Sequence, residues 1–189
     1  MNLPNKLTLL RLGLTVLFVV ALSVTFPYQL TTALVVFLVA SLTDYLDGFL
    51  ARKYSLITDF GKLMDPLADK ILTASAFICL IQYEALPVWV VIIIISREFL
   101  ITGLRLLAST KGIVLPAEKV GKHKTAWQMI TIVFFLTLMA GREFPQNNAA
   151  LFSWIWTSVG PILITITVIL TTYSGLAYLW KNRELLKAT

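Results

Sequence analysis

Asp44-Tyr45-Leu46-Asp47-Gly48-Phe49-Leu50-Ala51-Arg52 is followed, eight residues later, by Gly61-Lys62-Leu63-Met64-Asp65-Pro66-Leu67-Ala68-Asp69. These two stretches bring four aspartates within 26 residues of a chain that is apolar for most of its length, with Asp59 between them. Asp44 and Asp47 are three apart and Asp65 and Asp69 four apart, so each pair lies on one helix face. Two helices crossing at these faces would aim four carboxylates at one point. Such a cluster repels itself unless multivalent cations neutralise it, and hard divalent ions such as Mg²⁺ prefer carboxylate oxygens. Gly48, Ala51 and Gly61 interleave with the acids and leave room for a ligand or for close backbone approach.

The residues around this stretch set the class. Of 189 residues, 58% are hydrophobic, and mean hydropathy is +0.82. Soluble domains are about half apolar, so composition predicts an all-α integral membrane protein. Length suits one helical bundle, residues 1–189, with no separate soluble domain. Cys79 is the single cysteine, which excludes an internal disulfide or a cysteine-based zinc site and reads as a small core hydrophobe. The single histidine, His123, lies in a basic loop and reads as a surface residue. The opening Met1-Asn2-Leu3-Pro4-Asn5-Lys6 lacks the charged start and cleavage site of a signal peptide, so the first apolar segment is expected to be retained.

Leu3, Leu7 and Leu10 recur at helical spacing over 2–11, which predicts a short interfacial helix. Six transmembrane helices are expected near 11–27, 31–51, 66–84, 87–108, 124–140 and 154–180, each close to the length that a hydrocarbon core requires. Pro27, Pro87, Pro145 and Pro161 are expected at turns or helix starts. Short cytoplasmic loops retain Lys and Arg. Of the 16 Lys and Arg, all but Arg142 fall on one side or at that end of a span. Both termini and the acidic cluster are therefore expected to face the cytoplasm. Trp89, Trp154 and Trp156 fit an outer aromatic belt and Trp180 an inner one.

Four aspartates can also be read as ordinary polar helix ends, as Asp59 is: it suits the N-cap of a helix starting near Phe60. For the other four, burial near a membrane without partners would cost several kcal/mol each. Their shared faces and interleaved glycines favour a site.

Asp-x2-Asp-Gly-x2-Ala-Arg-x8-Gly-x3-Asp-x3-Asp resembles the signature of the CDP-alcohol phosphotransferase family at every position. Leu3-Pro4-Asn5-Lys6-Leu7-Thr8 with Arg11, Ser96 to Arg105, and Gly121-Lys122-His123-Lys124-Thr125 extend the resemblance over the N-terminal two-thirds, toward members that use glycerol 3-phosphate. The resemblance implies a six-helix membrane enzyme of the cell membrane, homodimeric, with a cytoplasmic active site. It would move a phosphatidyl group from CDP-diacylglycerol to an alcohol and release CMP. By motif position, Asp44, Asp47 and Asp65 would hold one divalent metal, and Asp65 and Asp69 would help to hold a second. Mg²⁺ or Mn²⁺ is expected. Asp69 would also be the general base, and Gly48, Ala51, Arg52, Thr58 and Gly61 would meet the CDP-lipid. A two-metal site suits a pyrophosphate donor, and a carboxylate near the acceptor hydroxyl suits proton removal. Whether Asp69 is ligand or base is open at this point. Arg52 suits a phosphate oxygen through its planar fork, or serves only to set topology.

A second, basic cluster bears on the acceptor. Arg97 and Glu98 interrupt the run Val90 to Ile95, and ionisable residues within a span face a cavity or each other. Arg97 either contacts substrate or pairs with an acid. Arg105 follows eight residues on, near the same face, and Lys119, Lys122 and Lys124 crowd the start of span five. Arg105, Lys122 and Lys124, with Arg97, are the candidates for an acceptor phosphate, which needs cations beyond the metals. Together with the resemblance, this favours glycerol 3-phosphate over an uncharged alcohol; inositol phosphate, serine or phosphatidylglycerol is the alternative acceptor for the same chemistry. A metal-ion transporter would place carboxylates at mid-membrane with routes to both faces; here they gather at one end. The net charge of +6 sits beside the spans, where it sets topology and attracts anionic lipid rather than nucleic acid.

Overall fold

The computed structural model describes residues 3–54, 59–110, 112–113, 115, 119–144 and 148–183. For helical residues 3–4, 45–54, 59–63, 65–66 and 119–120 only the backbone path is described. Six helices follow in order: α1 (Leu3–Ser23), α2 (Gln29–Tyr54), α3 (Asp59–Gln82), α4 (Val88–Thr110), α5 (Lys119–Gly141) and α6 (Ala149–Lys181). No strand occurs among the described residues. Each helix lies where a span is expected. Two details differ. Residues 3–11 are not a separate interfacial helix but the first turns of α1, because nothing between Leu3 and Ser23 breaks the hydrogen-bond ladder. Pro161 lies inside α6 rather than at its start. Among described helices that is tolerable where hydroxyls re-engage backbone carbonyls, and here Thr165 Oγ1 donates to Pro161 O at 2.8 Å.

The bundle is apolar on both its inside and its outside, with the polar side chains collected on particular internal seams. Phe18 and Phe37 meet as tilted rings with centroids 5.6 Å apart, in a core that also holds Phe77, Leu72, Leu80, Phe135 and Leu136. α1 packs along α2 and α3, while α5 bridges α2 and α6 and α4 rests on α6. Val16, Leu38, Ile78, Ile92, Phe99, Ile169 and Leu176 face outward. Arg11, Lys124, Gln128, Thr131, Thr167, Thr171 and Ser174 face inward. Thr131 and Thr167 share a 2.8 Å hydrogen bond, and Gln128 Nε2 donates to Thr171 Oγ1 at 3.3 Å. Cys79 is buried, as expected of a core hydrophobe. Asn5–Ser23, Gly121–Gly141 and Ala149–Lys181 are long and apolar enough to cross a membrane, and Gln29–Asp44 is a shorter apolar stretch. α3 and α4 are interrupted by Asp69 and Lys70 and by Arg97, Glu98 and Arg105.

One end of the bundle is tied by side chains that replace missing helix partners. The Glu143 carboxylate accepts from Leu30 N at 2.7 Å, Thr31 N at 2.9 Å and Thr31 Oγ1 at 2.6 Å. A residue that closes α5 thus caps the start of α2. Tyr83 Oη donates to Leu22 O at 2.8 Å, near the end of α1. Tyr28, with φ of 58°, turns the chain between these helices and packs on Phe144 at 5.8 Å. These bonds hold the end opposite Asp44 and Asp69. Glu143→Ala is expected to destabilise the protein by about 1–3 kcal/mol, the cost of leaving polar groups without partners. The readout is a lower unfolding temperature in detergent, with activity at 25 °C retained.

Candidate active site

Charges gather at the other end. On α1, Arg11 is fully buried and places Nη1 2.8 Å from Asp44 Oδ1 on α2. Asn5, Thr8 and Thr15 line the same face of α1 and are buried with it, an i, i+3, i+4 pattern that directs polar groups inward. Asp69, on α3, is half-buried within range of the charges of Asp44, Arg11, Lys70 and Glu98. Asp44 on α2 and Asp69 on α3 thus lie within electrostatic range of each other.

The side chains of Asp47 and Asp65, and of Gly48, Ala51, Arg52 and Gly61, lie outside the described residues, as does Thr58 altogether. The described backbone keeps Asp47 one turn beyond Asp44 on α2 and Asp65 one turn before Asp69 on α3. Among the described residues no three acidic, His or Cys side chains form a metal-holding group. Carboxylate oxygens are the donors that hard divalent cations take, and Asp44 and Asp69 offer two carboxylates from α2 and α3.

Asp44 borders a cavity of about 800 Å³ that is also lined by Lys70, Arg97, Glu98, Arg105, Lys122 and Lys124, among others. All four cations expected to meet an acceptor phosphate border it. They do not do so equally. Lys124 is buried and paired with Glu98, so it is not a free lysine at the mouth of a loop. Arg97 Nη1 lies 3.3 Å and Lys70 Nζ 3.6 Å from the same carboxylate. Arg97 therefore pairs with its neighbour, and three helices converge on Glu98. Arg105 and Lys122 present exposed cationic groups to the cavity. Arg105 Nε donates to Tyr178 Oη on α6 at 3.1 Å. His123 is exposed and does not line the cavity.

Sequence reasoning noted Arg11 and Glu98 without giving either a place among the site residues, yet both hold charges at this end of the bundle. Glu98 carries a signal: it is the one acid in a span with two arginines, where an unpaired charge is costly. Tyr178 and Gly175 carry none, since an apolar α6 gives no reason to single them out. A Cβ at Gly175 would stand 2.9 Å from Arg97 Cγ, so only a glycine lets the Arg97 stem lie against α6.

The family model for CDP-alcohol phosphatidyltransferase matches residues 1–177. The chain belongs to this family. It is similar to a CDP-diacylglycerol–glycerol-3-phosphate 3-phosphatidyltransferase of Bacillus subtilis, at 38% identity over 100% of this chain and 98% of that protein. It is also similar to the protein of that name from Rickettsia bellii, at 31% identity over 94% and 93%. A probable phosphatidylglycerophosphate synthase of Mycobacterium tuberculosis is 37% identical over 94% of this chain and 79% of its own length. Family membership makes the chain a membrane phosphatidyltransferase of phospholipid biosynthesis, and enzymes of this family generally use divalent metal ions.

The Glu98 cluster makes a direct prediction. Glu98→Gln leaves Lys70, Arg97 and Lys124 crowded without their shared carboxylate, a loss of about 3–5 kcal/mol for a broken buried pair. Thermal unfolding in detergent checks this. Adding Lys124→Met to that variant is expected to restore part of the loss, because it removes the worst-placed unmatched cation.

Proposed function

We propose that the chain transfers a phosphatidyl group from CDP-diacylglycerol to sn-glycerol 3-phosphate, giving phosphatidylglycerophosphate and CMP. The observation that carries this reading is the cavity that sets Arg105 and Lys122, with the Arg97–Lys124–Glu98 cluster, against Asp44. Similarity to relatives named for this reaction over nearly their whole length supports it. An uncharged alcohol would leave that cationic wall unmatched.

The whole chain acts as one membrane domain with six spans, both termini cytoplasmic and the active site facing the cytoplasm. It resides in the cell membrane as a homodimer, among lipids that surround its apolar exterior. Asp44, Asp47, Asp65 and Asp69 would hold two divalent ions, Mg²⁺ or Mn²⁺, which when bound stabilise phosphate charge as Lewis acids.

The chain's own residues divide the remaining work. Gly48, Ala51, Arg52, Thr58 and Gly61 bind the CDP-lipid. Arg105 and Lys122 seat the acceptor phosphate, and Lys124 and Arg97 hold the cavity wall positive behind them. The acceptor hydroxyl then points toward α3. Asp69 takes its proton as the oxygen bonds to the phosphorus of the phosphatidyl group, and the bond from that phosphorus to CMP breaks. Arg11 aims the Asp44 carboxylate through their ion pair, a charge-assisted contact with defined geometry.

Purified protein in detergent–lipid micelles, given CDP-diacylglycerol and a panel of acceptors, tests the reading. Glycerol 3-phosphate is expected to yield phosphatidylglycerophosphate and CMP, whereas glycerol, serine and inositol yield no lipid product. Turnover of serine or inositol phosphate in its place would overturn the acceptor. Asp69→Asn is expected to abolish turnover with folding retained. Arg105→Ala is expected to raise KM for glycerol 3-phosphate about ten- to a hundredfold, as for a lost charge-assisted contact, with little change in KM for the donor.

A further inference from the structure

α6 lies outside the sequence motifs, yet it touches both arginines of the cavity wall. Arg97 and Arg105 stand eight residues apart on α4, close to one helix face. Gly175 and Tyr178, three apart on α6, meet them: the Arg97 stem lies against Gly175, and Arg105 bonds to Tyr178. Tyr178 is only 2% exposed. Its ring packs with Ile101 and Leu104 of α4 and with Leu115 and Leu179, so its hydroxyl is fixed with respect to the arginine. The Arg105 guanidinium carbon lies 5.3 Å from the ring centroid, within the range at which a cation is attracted to an aromatic face.

The division of donors on Arg105 matters. A guanidinium offers five N–H groups in a rigid fork. Tyr178 takes Nε, on the inner edge, which leaves the two terminal NH₂ groups as the pair available to a bidentate oxyanion in the cavity. A long arginine free to rotate would surrender side-chain entropy on binding, and fixing it beforehand lowers that cost.

We infer that Tyr178 is a positioning residue for the acceptor site: from α6 it fixes Arg105 so that the terminal guanidinium groups face a phosphate monoester in the cavity. Tyr178 does not line the cavity and acts only through Arg105. The inference rests on the reading of that cavity as the acceptor's phosphate site.

Tyr178→Phe deletes the hydroxyl and keeps the ring. Two measurements on the full chain in detergent–lipid micelles test it: the affinity of wild type and variant for inorganic phosphate by calorimetry, and steady-state kinetics with each substrate varied. The variant is expected to lose about three- to tenfold in phosphate affinity and to gain as much in KM for glycerol 3-phosphate, less than for a lost direct contact because Tyr178 acts only through Arg105. Its kcat, its KM for CDP-diacylglycerol and its unfolding temperature are expected to stay near those of wild type. In an Arg105→Ala background the same substitution is expected to add nothing, because the residue it acts through is gone. Equal loss for both substrates, a full additional loss in the Arg105→Ala background, or unchanged phosphate affinity would overturn the positioning role. If wild type binds phosphate in a Tyr178-dependent way but makes no lipid from glycerol 3-phosphate, the positioning role stands and the proposed acceptor falls.

Discussion

A charge inside an apolar bundle must meet an opposite charge or face water, and this requirement governs the whole charged end of the protein. Desolvating an ion costs several kcal/mol even after relaxation. Arg11, with no solvent exposure, meets that cost by reaching Asp44. Lys70, Arg97 and Lys124 meet it together at Glu98. Each pairing joins different helices: α1 to α2 in the first case, and α3, α4 and α5 in the second. The ion pairs therefore fix how helices sit around the cavity as well as the charge that lines it. A surface pair would do neither, since exposed pairs contribute little.

The opposite end is organised by hydrogen bonds rather than ion pairs, with Glu143 capping α2 and Tyr83 reaching α1. Between the ends, aromatic packing around Phe18, Phe37 and Phe135 fills the bundle. The hydroxyl and amide ladder of α5 and α6 runs from Thr131 and Thr167 through Gln128 and Thr171 toward Lys124 and Ser174. Small polar groups are suited to this role in apolar surroundings, because they let helices approach and satisfy one another. The ladder leads toward the cavity and keeps α5, which carries Lys124, in register with α6, which carries Tyr178.

Helix existence was legible in the sequence because long apolar runs leave few alternatives. The one continuous α1 was not, since polar residues at 5, 6, 8 and 11 suggest an interfacial segment until Arg11 and Thr8 are seen to be internal. Pro161 misleads for a related reason: a proline marks a boundary in water, whereas in α6 neighbouring hydroxyls and packing keep the helix going. The i+3 and i+4 spacing places each aspartate pair on one face of its own helix, but how α2 and α3 face each other is a matter of tertiary placement. Arg97, Arg105, Lys122 and Lys124 line one cavity, which their positions at the ends of successive helices allow. What spacing does not convey is partnership across the bundle. Glu98 gathers cations from three helices, and Tyr178 bonds 73 residues away from itself to Arg105. Such pairings depend on tertiary placement, which no local pattern encodes.

The central claim is that acidic and basic walls of a single cavity divide the donor and acceptor chemistry between them. An experimental structure of the protein with glycerol 3-phosphate bound tests it most directly. The account predicts acceptor phosphate oxygens within hydrogen-bond distance of the Arg105 terminal nitrogens and Lys122 Nζ, with the free hydroxyl end turned toward Asp69. Phosphate bound away from that wall, or an acceptor hydroxyl directed away from α3, would contradict it.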